Sequence, residues 1–293
     1  MRFIEIAYGL SVSSAILLAR RPEDSVINLV LECSDGQKFF LKQIQAHSLR
    51  PELETIYEGL SLIRTEDYRL VLPVQNQEGR FLTELEGKCF QLLRYELIKP
   101  FSAEQVPISR MTSILEDFHG RVRNFSVPAQ SFRTFGSWLQ RGPDQFRHRF
   151  GEGLPFVPLL EEYLATRFRR LKFEEGVIHW DIHRENLGLD PEGGLLLVDF
   201  DLLQPGPYAM DLMRLAQLYR RPGQDRIEIP NEVMETICEH MRAGPDLEMQ
   251  DLRFWIGRSL MMEAWDRPEV RGFMQAIEDW VVSGTPGRPD TGI

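Results

Sequence analysis

No window of the 293-residue chain reaches the about 18 uninterrupted apolar residues that a membrane span requires, and residues 1–8 carry Arg2 and Glu5 where a secretory leader would be apolar. Both absences point to a soluble, cytoplasmic protein with no membrane partner. Cysteine is scarce: Cys33, Cys89 and Cys238 lie far apart and form no CxxC pair of the kind that marks a zinc site or a redox motif. Reduced thiols in a cytosol fit that pattern. Positive charge is in deficit, with a formal net charge of −10, which argues against a broad contact with nucleic-acid phosphates. The main basic run, Arg167, Arg169, Arg170 and Lys172, reads as a solvated helix face before it reads as a binding patch. An acidic surface of this kind tolerates a cationic small substrate. No internal repeat is present.

Residues 26–44 contain two runs rich in β-branched and aromatic side chains, joined by Ser34-Asp35-Gly36, and predict a hairpin. From Pro51, the apolar residues Leu53, Ile56, Tyr57, Leu60 and Ile63 recur at helical spacing, flanked by Glu52, Glu54 and Glu58. Two further strand regions follow at 68–74 and 80–97, with turns at Asn76-Gln77-Glu78-Gly79 and Glu86-Gly87. The first hundred residues therefore predict an antiparallel sheet carrying one main helix. After Lys99-Pro100 the pattern turns helical, at 113–122 and 158–173 and again from Asp211, Asn231, Leu247 and Pro268 onward. Within this part, 176–189 and 195–203 are short apolar runs split by Asp190-Pro191-Glu192-Gly193-Gly194, which predict a strand, a loop and a small hairpin. The fold class is α+β, with an N-terminal unit over 1–97 and a mostly helical one over 98–293.

The chemically informative segment is His179-Trp180-Asp181-Ile182-His183-Arg184-Glu185-Asn186, with Asp199-Phe200-Asp201 beginning thirteen residues after Asn186. Phosphoryl transfer needs a carboxylate to orient the attacking hydroxyl, oxygen ligands for Mg²⁺, and a cation on the phosphates. An Asp, an Asn five residues later and an Asp after the next apolar strand supply the first two, and Lys42 at the end of an N-terminal strand can supply the third. The alternation of His179, Asp181 and His183 would also suit a metal hydrolase, although His47, His119, His148 and His240 add no second ligand cluster.

Taken together, these residues resemble the aminoglycoside phosphotransferase and choline kinase superfamily, over most of the chain. HWDIHREN is similar to that family's HGDxHxxN loop, with Trp180 in place of a small residue. Asp199-Phe200-Asp201 matches its metal motif, Gly206 to Leu212 its GPxxxDL segment, and ILEDFHG, ending at His119 and Gly120, its LxxLH helix. The resemblance implies a protein-kinase-like fold of two lobes, with ATP and Mg²⁺ as cofactors and a small-molecule hydroxyl as acceptor. By the same resemblance Asp181 is the catalytic base, Asn186 and Asp199 bind the metal, and Asp211 braces the loop; among the histidines, His179 reads as a structural residue of that loop before it reads as a ligand. Lys42 would hold the α/β-phosphates and be oriented by Glu54, in preference to Glu52 or Glu58. The adenine would bond to backbone near Tyr95, Glu96 and Leu97. No GxGxxG loop precedes Lys42, so residues 20–28 would cover the phosphates instead.

A bacterial Ser/Thr protein kinase of the same fold, with a protein acceptor, and a nucleotide-binding regulatory pseudokinase are the alternatives. Too few residues separate Asp199 from Asp211 for the APE signature of eukaryotic-type kinases, and the base, both metal ligands and a lysine are retained. Glu232, Glu235, Glu239, Asp246, Glu248, Asp251, Glu263 and Asp266 could meet an amino sugar or amino alcohol, with a solvated acidic face as the plainer account. Trp255 and Trp265 read as core residues before they read as an aromatic box.

Overall fold

The computed structural model describes residues 2–18, 27–44, 50–95, 98–127, 135–150, 154, 156–220, 229–241, 247–266, 277 and 279–281. Two compact units are present. The first comprises Met1–Phe101, Asn124–Pro128 and Arg184–Leu203, and the second Ser102–Arg123, Ala129–His183 and Gln204–Ile293.

In the first unit, α1 (Arg2–Tyr8) and β1 (Val12–Leu17) precede the expected hairpin of β2 (Asn28–Cys33) and β3 (Lys38–Ile44). Gly36 turns that hairpin at φ +82°, a left-handed conformation that glycine reaches without a Cβ clash. The predicted helix is α2 (Arg50–Ser61), whose Leu53, Ile56, Tyr57 and Leu60 are all buried. After β4 (Tyr68–Val71) come β5 (Leu82–Leu85) and β6 (Lys88–Arg94), linked through Glu86 and Gly87, both at positive φ. The antiparallel sheet runs in the order β1-β2-β3-β6-β5. Because side chains alternate along a strand, β3 sends Phe39 and Leu41 into a core with Ile4, Leu31, Phe90 and Leu92. Phe40 goes to the opposite face and joins Val71, Leu93, Leu196 and Val198.

One strand leaves the expected sheet. β4 pairs in parallel with β9 (Leu195–Val198), whose other neighbour is the antiparallel β8 (Leu187–Leu189). The reason lies in β9 itself: Leu-Leu-Leu-Val is buried along its whole length, so it needs cover on both faces and a partner on each edge. Residues 184–203, which a boundary at 97/98 places with the helices, therefore pack with the N-terminal sheet.

The second unit contains α3 (Ile108–Val122), α4 (Phe135–Gln140), α5 (Gly142–Phe150) and α6 (Phe156–Thr166). The helix expected over 158–173 ends earlier, in a 3-10 turn over Phe168–Arg170, and Arg167 pairs with buried Asp251 at 2.6 Å. A two-stranded ladder of β7 (Glu175–Ile178) with β10 (Gln204–Pro207) follows, then α7 (Ala209–Leu218), α8 (Asn231–His240) and α9 (Met249–Asp266). Gly176 on β7 lies against the Tyr208 hydroxyl, and a Cβ there would clash with it. Trp255 is core: it is fully buried and donates to the Tyr163 hydroxyl at 2.8 Å. The side chain of Trp265 lies outside the described residues. Among the described residues no helix is long and apolar enough to cross a membrane.

Candidate active site

In the first unit the site is built where β9 ends. Asp199 follows the last residue of that strand at φ +65°, a left-handed conformation that aspartate reaches more readily than most L-residues. Lys42 on β3 places its Nζ 2.7 and 2.6 Å from the two Asp199 carboxylate oxygens and 2.9 Å from Asp201 Oδ2. Burial alone would lower the pKa of this amine. The charges of Asp201 and Asp199 outweigh it and raise the pKa above the ordinary lysine value.

Gln91 stands directly opposite Lys42 in the β3–β6 register, which puts both side chains on one face. Its Nε2 donates to both Asp201 oxygens at 3.1 and 3.2 Å. The Tyr57 hydroxyl, buried on α2, is hydrogen-bonded to Asp201 and lies 2.8 Å from Gln91 Oε1. Burial first, and then the Asp201 charge, keep this phenol protonated. Asn186 is buried, and its carbonyl accepts the Val198 N–H at 3.0 Å, so the start of β8 is tied to the residue preceding Asp199.

Two sequence expectations change here. Glu54 does not orient Lys42: its carboxylate accepts the N–H groups of Phe81 at 2.6 Å and Leu82 at 3.1 Å. These donors open β5 and need a partner, and the helix face bearing Glu54 supplies it. The α2 carboxylate oxygen that stays buried without a hydrogen-bond partner is Glu52 Oε2. The Tyr95 N–H is taken by the Lys38 carbonyl at 3.0 Å, as a continuation of the sheet. Glu96 and Leu97, and residues 20–26 of the expected phosphate cover, lie outside the described residues.

The second unit holds the loop that carries Asp181. Asp211, fully buried near the start of α7, accepts three hydrogen bonds: from His119 Nε2 at 2.8 Å, the His179 N–H at 2.7 Å and the Trp180 N–H at 2.8 Å. His119, near the end of α3, stacks on Tyr208 with ring centres 4.4 Å apart. Trp180 sits at φ +70° with its indole buried, so the bulky residue takes a left-handed conformation that a glycine would adopt freely. The His179 ring is buried, and its Nδ1 faces the Asp181 N–H at 3.3 Å. His183 Nε2 lies 3.3 Å from Asp181 Oδ2. Burial would raise the Asp181 pKa, but the His183 hydrogen bond and the charges of His183, His179 and Arg214 hold it below the ordinary aspartate range. A metal-hydrolase arrangement does not form: among the described residues no group of three His, Cys, Asp or Glu side chains could hold an ion.

Sequence reasoning missed Tyr57, Gln91 and the engagement of Asp201. A signal existed for Gln91, a polar side chain within a run of five buried residues on β6. For Tyr57 there was none, because it sits in the apolar stripe of α2.

Solved structures with this fold include an amicoumacin kinase in complex with AMP-PNP and Ca²⁺, at 12% identity and a TM-score of 0.66, over 98% of this chain and 94% of that one. A spectinomycin phosphotransferase bound to ADP and spectinomycin is 13% identical with a TM-score of 0.58, over 97% and 93%. The choline kinase of Streptococcus pneumoniae is 14% identical with a TM-score of 0.56, over 96% and 97%. The fold is thus that of the protein-kinase-like phosphotransferases. No curated protein matches the sequence. The model of the phosphotransferase enzyme family matches residues 19–233, and the chain belongs to that family. It is a kinase whose acceptor is an alcohol group.

Proposed function

We propose that this enzyme moves the γ-phosphate of ATP, with Mg²⁺, to a hydroxyl of a small molecule. The observation that carries the reading is Lys42 on β3 clamped to Asp199 at the end of β9, two residues 157 positions apart in the chain. The donor chemistry fits the metal: a carboxylate on Asp199 and a buried amide on Asn186 are the hard oxygen ligands that Mg²⁺ takes. When bound, the ion neutralises charge on the transferring phosphates. Lys42 is the cation for the remaining phosphate oxygens, and Asp201, fixed by Gln91 and Tyr57, keeps its ammonium in place. Asp181 orients the acceptor hydroxyl and takes its proton. Its lowered pKa leaves it ionised at neutral pH, and the Asp211 bonds to His179 and Trp180 fix the backbone that aims it.

The test is thermal unfolding with ATP and Mg²⁺, with ATP in chelator, and with the Asp199→Ala variant. A Mg²⁺-dependent rise in Tm that the variant lacks is expected. Absence of any nucleotide-dependent rise in the unaltered protein would overturn the proposal.

A further inference from the structure

A lysine ammonium has three N–H donors, and Lys42 has three carboxylate oxygens within hydrogen-bond distance. Asp199 Oδ1 and Oδ2 lie 2.7 and 2.6 Å from its Nζ, and Asp201 Oδ2 lies 2.9 Å away. A donor set filled in this way has nothing left for a phosphate oxygen. The cation that the proposed reaction requires is thus taken up by carboxylates, and one of them has to leave before Lys42 can act on a phosphate.

The two carboxylates are not equally held. The Asp201 side chain is 11% exposed and is also fixed by the Tyr57 hydroxyl and by Gln91 Nε2. The Asp199 side chain is 29% exposed and that of Lys42 22%, so solvent reaches this side of the cluster. The backbone on either side of Asp199 is anchored: the Val198 N–H donates to the Asn186 carbonyl at 3.0 Å, and Phe200 is buried. Rotation of one side chain therefore separates Asp199 from Lys42 and leaves the end of β9 in place. That rotation gives up two charge-assisted bonds, a loss that stands unless the carboxylate meets another cation. A metal-free triphosphate brings none, and its own negative charge is repelled by Asp199. Beside a triphosphate that carries a divalent cation, Asp199 gains a hard cation suited to its oxygens, and Lys42 has two N–H donors released for the phosphate.

We infer that Asp199 determines which form of the nucleotide the site accepts: by occupying Lys42 it excludes polyphosphates that arrive without a divalent cation, and it yields Lys42 only to the metal complex. The inference rests on the proposed kinase reading for the identity of the ligand, and it gives Asp199 a role beyond that of a metal ligand. The two roles differ in sign. Removing a residue that only binds metal leaves metal-free ATP where it was, whereas removing one that also blocks Lys42 makes metal-free ATP bind more tightly.

The test is thermal unfolding of the full chain, titrated with ATP in chelator and, separately, with AMP-PNP and Mg²⁺. Asp199→Asn and Asp199→Gly are run beside the unaltered protein, because asparagine and glycine adopt the φ of +65° found there most readily. A third variant combines Asp199→Asn with Lys42→Met. In chelator, both single variants should reach half-saturation at an ATP concentration about tenfold lower than the unaltered protein, and the double variant should lose that gain. Metal-free ATP binding that is equal or weaker in both single variants, or a gain that survives Lys42→Met, would overturn the inference. If AMP-PNP with Mg²⁺ stabilises the unaltered protein and the variants show no gain, the kinase reading stands and the role given to Asp199 fails. If AMP-PNP with Mg²⁺ has no effect while the variants gain metal-free binding through Lys42, the kinase reading fails and the block on Lys42 stands. No response in any of the proteins removes both.

Discussion

Replacing Asp211 by asparagine tests the anchor of the catalytic loop. The carboxylate holds His119 Nε2 and the His179 N–H on Oδ2, and the Trp180 N–H on Oδ1, with no water-facing surface. An amide has one oxygen. If that oxygen takes the Oδ2 position, the new NH₂ faces the Trp180 N–H; in the other orientation it faces both the His179 N–H and His119 Nε2. The first orientation is the milder: one buried donor loses its partner, at about 1–3 kcal/mol, and the surviving bonds are no longer charge-assisted, at roughly a further 1 kcal/mol. Asp211→Asn should therefore lose about 2–4 kcal/mol in denaturant unfolding, with an unchanged m-value. Hydrogen exchange at the amides of residues 179 and 180 should accelerate. Stabilisation by Mg²⁺ and ATP should persist, because Lys42, Asn186 and Asp199 keep their own contacts. A loss below about 0.5 kcal/mol, or unchanged protection of both amides, would refute this account of Asp211.

Tyr57→Phe removes one hydrogen bond to a carboxylate and keeps the buried ring, so unfolding should become easier by about 1.5–3 kcal/mol and the affinity for Mg²⁺ and ATP should fall. An unaltered unfolding midpoint would count against the Tyr57–Asp201 bond. Asp181 should titrate below the ordinary aspartate value by carboxyl ¹³C NMR, and higher in His183→Gln than in the unaltered protein, because burial is left with less opposition. Since its folded pKa is depressed, Asp181 contributes stability above the unfolded pKa and loses it as pH falls through the folded one. His183→Gln should flatten that acid dependence, and the same slope in both proteins would contradict it. Trp180→Gly gains about 1–2 kcal/mol by relieving the left-handed backbone and loses roughly 3–5 kcal/mol of indole packing, so a net fall in Tm is expected. A rise would show that the indole contributes little.

The local features were legible before any coordinates. Ser34-Asp35-Gly36 and the 190–194 turn announced their hairpins because the chemistry of a turn is carried by the residues in it. The α2 stripe did the same for its helix. Asp181, Asn186, Asp199 and Asp211 could be picked out by motif, since their spacing follows one loop and one strand. Pairing across long sequence distance was not legible. β4 resembles any other N-terminal strand until β9, more than a hundred residues later, claims it. Glu54 and Glu52 are equivalent in a helical pattern, and only the position of the β5 amides separates them.

The placement of β8 and β9 bears on how the chain can be made. An N-terminal fragment ending at Phe101 would leave β4 without its parallel partner, and Val71 and Leu93 without Leu196 and Val198. Lys42 would lack both of its counter-ions. During synthesis the first unit must therefore wait until the ribosome has passed Leu203, with most of the second unit's leading segments already made. The three-stranded sheet that holds β4 is completed late, and the same closing event delivers Asp199 and Asp201 to Lys42.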